Sequence, residues 1–482
     1  MIRLEEVITV PRSLAECYRY LQDFSTSEQW DPGVYRAVKQ TPGPVAVGTQ
    51  FDLVLNSAGR RVPMQYRITR LSPPREMVMQ GEAQGLRALD TISLDDAGHG
   101  RTRIRYRADF TFTGPLARLE SVLHPWLRRV GRQAVAGLER ALTPEAQLPV
   151  PGLRDRLAHR TVLPAAWSFT ERGYLRMANK GLSHRVDGKT FVITGPTSGL
   201  GLATACELAR LGARLLLVGR DAHRLREAVA TIRDFSGCEA AQLETFEAEL
   251  SRLSEVARIA PVLQAAAPQL DGLINNAGAL FAEHGVTEEG HERALAINLL
   301  APWRLMSLLL PTLEAAGGRV INVASGGMYA QALHPEDMQF LAEPYDGSKA
   351  YARAKRALVD LTGTVAAAVP GVTFHSMHPG WAATPGVARS LPTFNARLQR
   401  WLRDSRMGAD TIVWLASAPV AGMGSGQFWF DRLPRPTAVL PGTDVTAAQR
   451  EQLLAFLASL EPSDPLLQRL DRQVAGLAGE RG

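Results

Sequence analysis

Two tyrosine–lysine pairs stand out as groups able to do chemistry: Tyr345 with Lys349 and Tyr351 with Lys355, each lysine four residues beyond its tyrosine. On a helix that spacing puts both side chains on one face, a turn apart. A phenol with a pKa of ~10 exchanges protons poorly at neutral pH, and a neighbouring ammonium favours its phenolate, so either pair could form an acid–base group. Ser325 follows the apolar run Arg319–Val323, and Asn298 sits within the helical run Ala294–Leu305. Hydroxyl, amide, phenol and ammonium together suit proton transfer to or from an oxygen.

The elements that must position these groups read as alternating strands and helices. Thr190-Phe191-Val192-Ile193 is a buried strand that runs into Thr194-Gly195-Pro196-Thr197-Ser198-Gly199-Leu200-Gly201 and then a helix, Ala203 to Arg210. Glycines between strand and helix let backbone N–H groups approach a pyrophosphate where the helix dipole favours negative charge. A second strand, Arg214–Val218, is followed by Gly219-Arg220. An NAD site would present an acidic residue there to the ribose hydroxyls, whereas Arg220 suits a 2′-phosphate, so NADP(H) is favoured over NAD(H). Leu273-Ile274-Asn275-Asn276-Ala277-Gly278 is a strand ending in small polar residues, suited to close backbone approach. The strand Val372–Met377 ends in His378-Pro379-Gly380-Trp381-Ala382-Ala383-Thr384. The pattern predicts a Rossmann-type α/β domain, a doubly wound parallel sheet, over 188–482.

Residues 1–145 read differently. Ile2 to Val10 alternates, and Ser13-Leu14-Ala15-Glu16 is a capping box starting a helix to about Asp23. Alternating runs follow at Val34–Lys39, Thr49–Leu55, Met64–Arg70, Glu76–Gly81, Leu86–Leu94 and Arg101–Thr113, and the period turns helical from Pro115 to Leu142. Arginines at 101, 103, 105 and 107 mark one wet strand face. This order predicts an α+β domain of antiparallel strands around a long C-terminal helix. No His/Asp/Glu grouping in it suggests catalysis. Residues 146–187 form a basic, proline-containing linker in which Arg154, Arg156 and Arg160 precede Trp167, Phe169 and Tyr174. It reads either as a solvated connector with a helix packed on the next domain or, over 151–190, as a membrane-surface contact.

The motifs at 194–201 and 275–278, with Asn298, Ser325, Tyr-x-x-x-Lys and Pro379-Gly380, resemble the short-chain dehydrogenase/reductases. Ser325-Gly326-Gly327-Met328, Met377 to Ala382 and Thr384 to Val387 resemble the member 12-like group of that family, over about Trp167 to Leu460. The family's helix pattern and its spacing to Pro-Gly fit Lys355, 24 residues before Pro379, better than Lys349, 30 before. The resemblance thus implies a catalytic set of Asn298, Ser325, Tyr351 and Lys355. In it Ser325 bonds the substrate oxygen, Asn298 holds a relay water, and Lys355 binds the ribose hydroxyls. It also implies cofactor contacts at Thr194, Gly195, Ser198, Gly199, Leu200, Gly201, Arg220, Asn276, Ala277, Gly278, Pro379 and Gly380, with Thr384 on the carboxamide. At the adenine contact of the third strand the family's Asp-apolar pair is replaced by Glu249-Leu250, which puts that contact in doubt. Residues 1–145 resemble the START-like, or polyketide cyclase/SRPBCC, helix-grip domains. The carriers are the opening strand, Leu21 to Phe24, Trp30-Asp31-Pro32, Gly48 to Phe51 and the last helix. That resemblance implies an apolar ligand; a structural or dimerising module with a filled core is the alternative.

The expected activity is NADP(H)-dependent interconversion of a carbonyl and an alcohol on an apolar, lipid-, steroid- or polyketide-like substrate, presented by the N-terminal domain. The rival is a non-catalytic hydrophobic-ligand-binding or redox-sensing protein that binds NADP(H). Composition narrows the setting. The chain has 482 residues, 45% of them hydrophobic, too many for one core and typical of globular domains. Its net charge of +6 divides into +4 over 1–150, +5 over 151–190 and −3 over 191–482, which is not the footprint of a nucleic-acid-binding domain. Three widely spaced cysteines, Cys17, Cys206 and Cys238, offer neither a disulfide framework nor metal-ligand spacing, so a cytoplasmic location is expected. Arg3, Glu5 and Glu6 stand where a secretory signal would need an apolar core. Arg304 and two prolines interrupt Leu299–Leu313, so no spanning helix is expected. Expected partners are the small substrate and, through self-association, a second copy of the chain.

Overall fold

The computed structural model describes residues 2–57, 60–114, 120–143, 168–175, 184–383, 399–419 and 423–479. They fall into two compact units, one with the elements up to residue 142 and the other with those from 168 onward. Segment 168–175, expected in the linker, packs on the second unit; the rest of 146–183 lies outside the described residues, as does Thr384.

In the first unit the alternating runs form seven antiparallel strands: β1 (Ile2–Val10), β2 (Val34–Lys39), β3 (Gln50–Ser57), β4 (Arg60–Ser72), β5 (Glu76–Ala83), β6 (Leu86–Gly98) and β7 (Arg101–Phe112). They form one sheet in the order β1-β7-β6-β5-β4-β3-β2. The expected capping box is present at Ser13 and Glu16 and starts helix Leu14–Gln22. The long helix Glu120–Leu142 packs on β1. Core side chains alternate along the strands, as at Ala88, Ile92 and Leu94 on β6, while Arg101, Arg103 and Arg105 face water. This is a helix-grip arrangement.

The second unit is built on an eight-stranded sheet in the order β10-β9-β8-β11-β12-β13-β14-β15. Its strands are β8 (Thr190–Thr194), β9 (Arg214–Gly219), β10 (Leu243–Glu247), β11 (Gly272–Asn275), β12 (Arg319–Val323), β13 (Thr373–Met377), β14 (Gln427–Phe430) and β15 (Leu433–Arg435). All neighbours are parallel except β14 and β15. β8, β11 and β12 are buried throughout, as continuous apolar runs in a doubly covered sheet should be. Chain order reverses between β8 and β11, which opens the crevice that such sheets use for ligands. Helices Gly199–Arg210, Leu253–Ala266 and Gly347–Ala368 are among those covering the faces. Among the described residues no single helix is long and apolar enough to cross a membrane. The apolar stretch around Leu299–Leu313 belongs to helices Arg293–Leu308 and Leu310–Ala316, bent by 58° where they meet, and its large side chains fill the core.

Candidate active site

The glycine loop and the Asn-Asn-Ala-Gly turn are stitched together by side chains from both. The Thr194 hydroxyl accepts the backbone N–H groups of Asn276 (3.0 Å) and Ala277 (2.9 Å), and the Asn276 amide donates to the carbonyls of Thr194 (2.9 Å) and Gly195 (3.2 Å). Gly195 holds φ +66°, and a Cβ on Gly201 would overlap the Gly195 carbonyl and the Asn276 amide, so both positions demand glycine. Ser198 precedes helix Gly199–Arg210 without a side-chain cap bond to it. The first-turn N–H groups are thus spared for an anion, and a dinucleotide pyrophosphate fits this end. Leu200 packs instead toward Gly408 on helix Ser405–Ser417, so its side chain braces the loop.

At the ends of β9 and β10 the fold brings Arg220 and Glu249 together. The Arg220 side chain is 70% exposed and its Nη1 lies 3.6 Å from Glu249 Oε2. Glu249 Oε1 is held by the backbone N–H (3.1 Å) and hydroxyl (2.9 Å) of Ser251. Leu250 is a core residue beside Val192 and Val218, so only its main chain could meet a cofactor.

The two tyrosine–lysine pairs separate clearly. Tyr345 donates its phenol proton to Glu292 Oε1 (3.0 Å), and Lys349 pairs with Glu343 (3.0 Å), so both serve the loop before helix Gly347–Ala368. Tyr351 and Lys355 lie on that helix facing the strand ends. Lys355, 2% exposed, donates to the Val323 carbonyl (2.8 Å), and no carboxylate among the described residues pairs with it. Burial pushes its pKa down to about 7. Burial also raises the Tyr351 phenol above its ordinary value, and the Ser325 hydroxyl pulls it back. The Lys355 side chain is turned to the Val323 carbonyl, and its Nζ lies 5.8 Å from the Tyr351 ring centre. Tyr351 is held as a neutral acid with Ser325 at hand. A buried, carboxylate-free lysine is suited to ribose hydroxyls.

Asn298 sits in a π-helical turn, Ala296–Leu300, a break that recurs at functional sites. Its amide donates to the carbonyls of Ala279 (2.7 Å) and Ala294 (2.8 Å), and its Oδ1 accepts from Ala279 N–H (3.2 Å). Both amide protons are thus committed, which leaves one Oδ1 lone pair for a water. A Cβ on Gly278 would stand 2.7 Å from this Oδ1 and 3.4 Å from Lys355 Nζ, so both side chains lie against the turn at Gly278.

Several contributors are not evident from sequence. Asn275 donates to Asn322 (2.8 Å), and Asn322 donates to Thr362 (3.0 Å), a buried chain tying β11 and β12 to the tyrosine helix. A polar residue in the middle of the apolar run Arg319–Val323 was its one signal. Phe169, from before the first strand, packs on His378 (4.6 Å between ring centres), Trp381 (5.8 Å) and Phe430 (5.2 Å). Its ring lies 3.1 Å from where a Cβ on Gly326, next to Ser325, would stand. Arg403 donates to the carbonyls of Ser168 (2.7 Å), Phe169 (3.1 Å) and Pro379 (3.4 Å), which fastens that segment beside Pro379-Gly380.

Comparison with known proteins agrees with this geometry. The short chain dehydrogenase family matches residues 189–393, and the family described as polyketide cyclase / dehydrase and lipid transport matches residues 1–143. Dehydrogenase/reductase SDR family member 12 of Bos taurus is 39% identical over 310 residues, covering 61% of this chain and 96% of its own length. Retinol dehydrogenase 14 of Mus musculus is 35% identical over 271 residues, 52% of this chain and 79% of its own. Polyprenol dehydrogenase of Mus musculus is 34% identical over 260 residues, 49% and 74%. With its glycine loop, its tyrosine–lysine helix and its serine at the strand end, the chain belongs to the short-chain dehydrogenase/reductase family, nicotinamide-dependent oxidoreductases that interconvert alcohols and carbonyls, and it carries a polyketide cyclase-type unit before the enzyme fold.

Proposed function

We propose that the enzyme uses NADP(H) in preference to NAD(H) and acts on an apolar ketone, aldehyde or alcohol of lipid, steroid or polyketide type, with the N-terminal unit capturing or presenting that ligand. The observation that carries the reading is the convergence of Ser325, Tyr351 and Lys355 at the strand ends, beside an aromatic wall formed by Phe169, His378 and Trp381. The retinol and polyprenol dehydrogenases among its relatives act, by their names, on apolar alcohols, and Arg220 supports the 2′-phosphate. Bound nicotinamide supplies or accepts the hydride. Ser325 donates to the substrate oxygen and aligns it with Tyr351. Tyr351, neutral because it is buried, gives its proton to that oxygen as the carbonyl becomes an alkoxide, and takes it back in the oxidation direction. Lys355 holds the ribose hydroxyls, and Asn298 fixes the 279 turn against them. We place the enzyme in the cytoplasm: Cys17 and Cys206 are buried with thiol pKa values pushed up to about 11 and about 12, as inert reduced cysteines would be.

The test is NADPH oxidation with a panel of long-chain, ring and short ketones. Wild type should prefer the apolar members, and Tyr351→Phe should lose ~10²–10⁴-fold in kcat. Turnover unchanged in Tyr351→Phe, or confined to small polar ketones, would overturn the proposal.

A further inference from the structure

One stretch of chain packed on the oxidoreductase fold belongs to none of its sheet strands. Residues 168–175 precede β8, end in the short helix Glu171–Leu175 and are fastened from several sides. The buried Arg403 guanidinium donates to the carbonyls of Ser168 (2.7 Å), Phe169 (3.1 Å) and Thr170 (3.3 Å), while Asp431 neutralises it. Tyr174 donates to Asp410 (3.3 Å), which itself pairs with Arg432 (2.6 Å). The Arg172 guanidinium lies 4.3 Å from the Trp401 ring centre.

This strap grips the turn that follows β13. The Phe169 carbonyl accepts the Trp381 N–H (2.8 Å). Arg403 reaches the same turn with its side chain, at the Pro379 carbonyl (3.4 Å). Its main chain reaches it too: the Arg403 N–H donates to the Trp381 carbonyl (2.7 Å), and the Arg403 carbonyl accepts the Ala383 N–H (2.8 Å). The Gly380 N–H donates to His378 Nδ1 (3.2 Å), on an imidazole that burial keeps neutral. Gly380 sits at φ +76°, and a Cβ there would lie 2.7 Å from the Phe169 carbonyl oxygen and 2.6 Å from Arg403 Nε. Strap, arginine and turn are therefore packed too closely for a side chain at that position. One guanidinium joins two segments that are distant in sequence.

We propose that Arg403 is a positioning residue for the nicotinamide end of the cofactor. It makes strap 168–170 and turn 379–383 one piece, so that nicotinamide binding and strap docking stabilise each other. This deepens the proposed function and rests on the reading that Pro379-Gly380 lies against the nicotinamide. A turn already held by the strap and by Arg403 is preorganised for a ligand that needs it in that shape. The coupling is reciprocal, because two events that favour one conformation must favour each other by the same factor. Arg220 takes part in none of these bonds, so the adenosine half of the cofactor serves as the control.

Hydrogen exchange on the full chain tests the coupling, with saturating NADPH set against adenosine 2′,5′-bisphosphate, which lacks the nicotinamide. NADPH should slow exchange at Trp381 and Ala383 by about fivefold or more. It should do the same at Gly173 and Tyr174, whose N–H groups bond the Thr170 carbonyl within the strap. The bisphosphate should slow neither set. Protection confined to 379–383 overturns the inference alone. No protection of 379–383 beyond that given by the bisphosphate overturns the reading of the turn as well. Arg403→Lys is the second measurement, since it keeps a cation for Asp431 but not the fork that reaches the carbonyls. It should weaken NADPH roughly tenfold, raise KM for NADPH more than it lowers kcat, and leave bisphosphate affinity within about twofold. A purely structural role would weaken both nucleotides together, so equal losses, or none, overturn the role of Arg403. If Arg403→Lys does not fold, the exchange result on wild type decides the inference by itself.

Discussion

Arg403 grips Asp431 with two bonds of 2.6 and 2.8 Å where the side chains are only 1% and 9% exposed. Removing one partner strands the other charge in the interior, which is far costlier than never having buried the pair. Asp431→Ala should lower unfolding free energy by ~3–5 kcal/mol in denaturant titrations. A loss below ~1 kcal/mol would mean that the carbonyls of 168, 169 and 379 alone satisfy the guanidinium.

The two tyrosines should part company under substitution. Tyr345→Phe deletes one hydrogen bond to Glu292 and should cost ~1 kcal/mol of stability with kcat nearly unchanged. A collapse of turnover in Tyr345→Phe, with Tyr351→Phe active, would reverse the assignment of the catalytic pair.

The proposed NADP(H) preference rests on Arg220, whose guanidinium lies 3.6 Å from Glu249. Arg220→Ala should weaken NADPH by ~10-fold or more while leaving NADH within about twofold, since a charge-assisted bond to a 2′-phosphate is worth ~1.5–3 kcal/mol. Glu249→Gln removes the carboxylate that competes for the guanidinium and should tighten NADPH a few-fold. Both effects should shrink at high salt, because Arg220 is well exposed. Equal losses for both nucleotides in Arg220→Ala would sink the assignment.

Lys355 leaves a signature in pH-dependent stability. Its folded pKa of about 7 lies below the ordinary 10.5, so between those values the unfolded chain holds a proton that the folded chain has released. Stability of the nucleotide-free protein should therefore rise with pH across that window, by up to ~1.4 kcal/mol per unit from this group. Melts at pH 7, 8 and 9 should show Lys355→Met lacking that slope; parallel curves would show that the lysine stays charged.

Phe169 should govern substrate size. Phe169→Leu leaves a smaller wall beside Gly326 and should raise kcat/KM for bulky ketones relative to small ones by ~10-fold, with NADPH affinity unchanged. An unaltered ratio would confine Phe169 to packing.

Local signals carried much of this protein. The glycine loop, the strand ends and the Tyr351–Lys355 helix depend on residues close in sequence, and β2, expected at Val34–Lys39, appears with those bounds. Strands β4 and β6 run past the alternating cores at Met64–Arg70 and Leu86–Leu94, because antiparallel pairing continues after alternation fades. What escaped depends on distant partners. Glu292 claims Tyr345 from 53 positions away. Asp90 looks like an ordinary polar residue on a half-wet strand until the pleat turns it inward between Tyr66 and Tyr106. Arg403 and Asp431 carry no spacing that marks them as a pair.

The contact between Phe169 and Gly326 redraws the edge of the enzyme. The family match begins at residue 189, yet the ring packed beside Gly326, next to Ser325, is supplied from before the first strand of the nucleotide fold. A fusion joined at that strand would keep the proposed proton-transfer set and lose the Phe169 ring. If the proposed apolar substrate meets this ring, segment 168–175 is where a new preference could arise without touching Tyr351.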